Sequence, residues 1–212
     1  PVARKQLLMF TSGHVAFNVP VRWPGATRVD RGVFGLSVAV DGTSPVTGQD
    51  GLLSWTSPDA QAIQVGVTGP LVTIANQSGA SSSTTTMLSP GGSFVWNASR
   101  NEIVDAQLTA FVASQDVKAY LRSLVPTMPW LNQQLTVNTN IDDVCNAFSD
   151  GETTNFFKSG MGCENTARLP DVVVHESGHT IHANAVIEGV GNFDTSLSEG
   201  VSDYLAATMT ED

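Results

Sequence analysis

Turn-forming residues interrupt the first hundred positions at short intervals, at Pro24-Gly25, Asp41-Gly42, Gly69-Pro70 and Pro90-Gly91-Gly92. Between them lie short apolar or alternating runs, at positions 6–10, 14–19, 33–40, 63–67, 71–74 and 93–96. Runs of this length bounded by Gly and Pro read as strands, and their spacing predicts a sandwich or an open barrel. Positions 81–86, Ser-Ser-Ser-Thr-Thr-Thr, read as an exposed low-complexity loop.

The texture changes near residue 100. Ile103, Val104, Leu108, Phe111, Val112, Val117, Tyr120 and Leu121 fall mostly at helical spacing, with Asn101 as cap and Pro126 and Pro129 beyond the end. Leu135 to Val137 is a strand candidate, and positions 145–163 form a hairpin candidate bracketed by cysteines. A helix is expected over 172–188, with Asp171 as its N-cap and Gly189 as its stop. A last helix is expected over about 196–209. The chain therefore divides into a β-rich region, 1–100, and a mixed region, 101–212.

Composition narrows the function classes. Ten Lys+Arg against twenty Asp+Glu give a net charge of -10 with no basic run, which argues against nucleic acid and an anionic membrane surface. No apolar run approaches the roughly 20 residues of a membrane span. Only 14% of residues are charged and the chain opens on Pro1. Export is expected, either after removal of a signal and pro-segment or as part of a longer protein. Cys145 and Cys163 enclose about 18 residues, and a disulfide between them is expected to stabilise by about 3 kcal/mol.

The most specific pattern is His175-Glu176-Ser177-Gly178-His179, H-E-x-x-H within an expected helix. Residues i and i+4 share a helix face with Cβ atoms about 5–6 Å apart, so two imidazoles can converge on one Zn²⁺ at about 2.0–2.1 Å. Glu176, about 100° around the helix, stays off the metal and sits where it can take a proton from a metal-bound water.

A third protein ligand is needed. His182 lies about 7–8 Å along the axis from the midpoint of the pair, too far to close the site. The longer pattern H-E-x-x-H-x-x-G-x-x-H fails, because His182 stands where Gly belongs and Ala185 where His belongs. Glu199 is twenty residues beyond His179. A break at 189–191 and a returning helix would bring it back to the histidines. Asp203, four residues on, shares its face and can accept a histidine ring N–H.

These residues resemble the thermolysin-type gluzincins and the related fungalysins. Asp171-Val172-Val173-Val174 is similar to the run before their active-site helix, and Asn146-Ala147-Phe148 is similar to their substrate-binding edge strand. The expected helix with Asp105-Ala106 near its start occupies the place of their long helix. The resemblance covers about residues 101–212. It implies an α+β fold, a β-rich N-terminal domain followed by the H-E-x-x-H-helix half of a zincin catalytic domain.

It also implies roles. His175, His179 and Glu199 would hold zinc, Glu176 would be the general base and Asp203 would support a ligand. Asn146 and Ala147 would contact substrate backbone. Asp171 matches a calcium position of some members, with Glu211 or Asp212 as partners. The family's second, helical lobe would follow Asp212 and supply the oxyanion donor, so a C-terminal chain or lobe of the same precursor is an expected partner. The resulting expectation is a secreted zinc metalloendopeptidase acting on peptides. The alternative is an incomplete zinc-binding module.

Overall fold

The computed structural model describes residues 11–185 and 195–210. It is an α+β fold with a β-rich N-terminal region. In chain order its strands are β1 (Thr11–Pro20), β2 (Arg28–Gly32), β3 (Val38–Val40), β4 (Leu52–Trp55), β5 (Gln61–Val65), β6 (Val72–Asn76), β7 (Thr84–Leu88), β8 (Ser93–Asn97), β9 (Leu135–Ile141), β10 (Ala147–Ser149) and β11 (Thr153–Phe157). Three long helices, α1 (Glu102–Leu124), α2 (Pro170–Asn184) and α3 (Thr195–Thr210), complete it.

β1 organises the first sheet. Its alternation buries Val15, Phe17 and Val19 on one face. Along one edge it pairs antiparallel with β4 and then β2, and along the other it pairs in parallel with β8. A second sheet runs β3-β5-β7, all antiparallel. The third runs β10-β11-β9-β6, with β10 at its edge.

α1 lies at the centre and is buried over most of its circumference. Asn101 caps it, its side chain accepting the Val104 N–H at 3.2 Å. A helix buried on so many sides must satisfy its polar groups within the protein. Gln115 donates to the Gly35 carbonyl at 2.8 Å, and Gln107 accepts the Ser82 N–H at 2.7 Å. Lys118 donates to the carbonyls of Trp130 and Gln133. Asp105, fully buried, receives Arg28 at 2.5 Å and Arg168 at 2.9 Å. The packing thus runs across residue 100: one apolar cluster extends from Val15 to Val173, and β6 of the N-terminal region completes the third sheet.

Several expectations are corrected. Strands β2 and β4 form at positions that carried no expected run, and in the 33–40 run only Val38–Val40 is strand, while Val33 and Leu36 are buried outside it. The expected loop at 81–86 is half strand, because Thr84 to Thr86 pair with Val65 to Ile63 in β5. Threonine's β-branching suits a half-buried strand. Asp171 is not the N-cap of α2. Leu169 holds that position and Pro170 begins the helix, as proline's fixed φ favours. α2 also ends four residues before the expected bound, at Asn184, where Ala185 rather than Gly189 is the C-cap and donates its N–H to the His182 carbonyl. The expected strand at 6–10, Gly189 itself and the partners Glu211 and Asp212 lie outside the described residues.

Candidate metal centre

α2 is aimed by what precedes it. Arg168, in the one-turn segment Thr166–Arg168, is fixed by Asp105 and by Glu164 at 2.9 Å. Val173 and Val174 then bury into the core, and the Ser177 hydroxyl donates back to the Val173 carbonyl at 2.8 Å. With that face inward, His175 and His179 turn toward α3. Their ring nitrogens Nε2 stand 3.1 Å apart.

α3 supplies the other side. Ser202 and Leu205 are buried, Leu205 packing in a cluster with Val117 and Val174. This register places Glu199 Oε2 3.3 Å from His175 Nε2 and 3.5 Å from His179 Nε2. The three atoms form a triangle with edges of 3.1–3.5 Å. Donors held about 2.0–2.1 Å from a tetrahedral ion lie about 3.3–3.4 Å apart, so the donor set fits zinc in both chemistry and spacing. Among the described residues these three make the one group of three His, Cys, Asp or Glu that can hold a metal ion.

The outward nitrogens are also held. Asp203 Oδ1 lies 2.9 Å from His175 Nδ1. An ionised carboxylate only accepts, so the proton sits on Nδ1 and a lone pair on Nε2 faces the other donors. His179 Nδ1 pairs with the Ser198 hydroxyl at 2.8 Å. Sequence reading found Asp203 but missed Ser198, whose only signal is its place next to Glu199. Burial holds the His179 imidazole below its ordinary value, favouring the neutral ring that a metal requires.

Glu176 is 6% exposed. Burial pushes its carboxyl up to about 7, His175 opposing and Glu199 adding to the rise. It lines, with the three donors, a groove of about 550 Å³. The far wall of that groove is the edge strand β10 with Asn146 just before it.

The β10–β11 hairpin is braced against α2. Ser149 and Thr180 share a hydroxyl hydrogen bond at 2.7 Å, and Asn184 donates to the Gly151 carbonyl at 2.8 Å. Asp150 organises the turn by accepting the N–H groups of Glu152 and Thr153. Gly151 adopts φ +89°, and a Cβ there would also press within 3.2 Å of Ala183. Cys145 and Cys163 are joined in a disulfide across the base of this hairpin.

The structure thus brings His175, Glu176, His179, Glu199, Asp203, Asn146 and Ala147 to one place. His182 lines the same groove. It does not bring Asp171 into the group: among the described residues Asp171 joins no set of three potential ligands. No protein-family model matches this chain, and no curated protein matches it either.

Proposed function

We propose that this chain carries the catalytic half of a secreted zinc-dependent metalloendopeptidase of the thermolysin-like or fungalysin-like kind. The supporting observation is the meeting of His175, His179 and Glu199 at 3.1–3.5 Å on a groove that also holds buried Glu176 and the edge strand β10. Zinc held by the three ligands supplies Lewis acidity and lowers the pKa of water toward about 7.

The rest falls to the chain's own groups. Glu176 accepts the proton of the attacking water and returns it to the leaving amine. Asp203 keeps the His175 proton on Nδ1. The open edge of β10 offers main-chain hydrogen bonds that hold a peptide extended, with Asn146 and Ala147 beside it. The disulfide agrees with an oxidising, extracellular setting, and no helix among the described residues is long and apolar enough to cross a membrane.

One observation favours a second reading, an incomplete module. The side chains of Glu199 and Asp203 are 63% and 75% exposed. A polypeptide following in the same precursor would cover them and supply an oxyanion donor, whose loss costs about 10²–10³ in rate.

Elemental analysis and peptide hydrolysis test both readings. One zinc per chain is expected. Glu176→Gln should retain zinc and lose about 10²–10⁴ of the hydrolysis rate. No zinc in metal-replete protein, or full retention in Glu199→Ala, would defeat the proposal. Full-rate cleavage by residues 1–212 alone would defeat the incomplete-module reading.

A further inference from the structure

Gly178 lies between the two histidines on α2, and Ser202, fully buried, lies between Glu199 and Asp203 on α3. The two helices touch here. A Cβ built on Gly178 would lie 2.6 Å from Ser202 Cα, 2.7 Å from its Oγ and 2.9 Å from its Cβ. The nearest of these atoms is main chain, so no rotation of a side chain relieves the contact. To reach ordinary van der Waals separation, α3 would have to move outward by roughly 1 Å. The Glu199 oxygen sits only one turn from this point, and metal–ligand distances tolerate about 0.2 Å.

From this geometry we infer that the Gly178–Ser202 contact is the positioning element that sets Glu199 on the metal. Gly178 touches neither metal nor substrate. It acts through α3, by allowing the closest approach of the two helices where the three donors must meet. The H-E-x-x-H pattern leaves this position open, and the demand for glycine comes from the packing of this chain. A helix-interior glycine with no such role would gain helix stability on substitution and leave zinc affinity unchanged, because alanine is the better helix former.

The inference rests on the metal-centre reading, and zinc affinity of the full chain separates the two. Measured by competition with a chromophoric chelator, Gly178→Ala should bind Zn²⁺ at least about tenfold more weakly than the unmodified chain. In a Glu199→Ala background the same substitution should cost less than about threefold, since the ligand it displaces is already absent. The visible spectrum of Co²⁺-loaded Gly178→Ala should match that of Glu199→Ala. Ser202→Val, which enters the same gap from the other helix, should reproduce the loss. Far-UV circular dichroism and the intact disulfide report folding of each zinc-free variant. Equal zinc affinity in Gly178→Ala, or an equal loss with and without Glu199, overturns the inference while leaving the metal centre standing. If the unmodified chain takes up no Zn²⁺, the metal centre falls and the inference falls with it.

Discussion

α2 is held from several directions. Arg168 and Asp105 fix its start, Val173 and Val174 enter the core, and the hairpin grips its far end through Ser149 and Asn184. α3 rests mainly on α2 and on the small cluster around Leu205, and the side chains of Glu199, Asp203 and Tyr204 stay largely exposed even where the two carboxylates meet the histidines. The side chains of His175 and His179 are accordingly 23% and 19% exposed, against 63% for Glu199. The two histidines are built into the body of the protein, and the carboxylates are brought to them by one helix contact. The pairing of the two histidines should therefore survive changes that release Glu199.

The largest effect is expected from Asp105→Ala. It leaves Arg28 and Arg168, both mostly buried, without their shared partner, and breaking a buried ion pair on one side costs about 3–5 kcal/mol. Urea denaturation should show that loss. A shift below about 1 kcal/mol would mean that α2 is not anchored there. Next, Cys145→Ser with Cys163→Ser opens the 18-residue loop at the base of the hairpin and should cost about 3 kcal/mol. Retained thermal stability in the double variant would show that the α2 brace is independent of the bridge.

Smaller effects should divide the two histidines. Asp203→Ala removes a charged acceptor from His175 and should weaken zinc binding by about 10–100-fold. Ser198→Ala removes a neutral partner from His179 and should cost less than about tenfold, hydrogen bonds with ionised groups being roughly twice as strong. Competition titrations read both, and a larger loss from Ser198→Ala would reverse the assignment of which outer contact matters more.

The parts of this arrangement that could be read in the sequence are those whose periodicity or spacing is local. α1 announces itself through apolar residues at helical intervals and the Asn101 cap. The candidate metal donors do so through i, i+4 spacing and the return of Glu199 with Asp203. What escaped reading depends on distant partners. β2 carries Arg28, Asp30 and Arg31 and gives no apolar alternation, because its role is to border β1 and present Arg28 to Asp105, seventy-seven residues away. β7 starts inside a serine-threonine run and ends two residues beyond it on Leu88, its buried anchor. Pro170 marks the start of α2, and Asp171, a residue type common at caps, lies inside the first turn instead. Ser198 has no distinguishing chemistry until α3 is set against α2.

The pairing of β6 with β9 bears on how this protein can be divided. Val72 to Asn76 lie in parallel register beside Leu135 to Thr139. A chain trimmed to begin near residue 101 would keep every residue of the candidate metal centre, yet it would bare the long flank of β9, with unsatisfied main-chain groups beside Leu135 and Val137, both buried in the intact fold. An open, apolar strand edge templates pairing with further copies. Such a fragment should gather into insoluble aggregates, so the smallest soluble form of the site needs the β-rich region that contributes none of its chemistry.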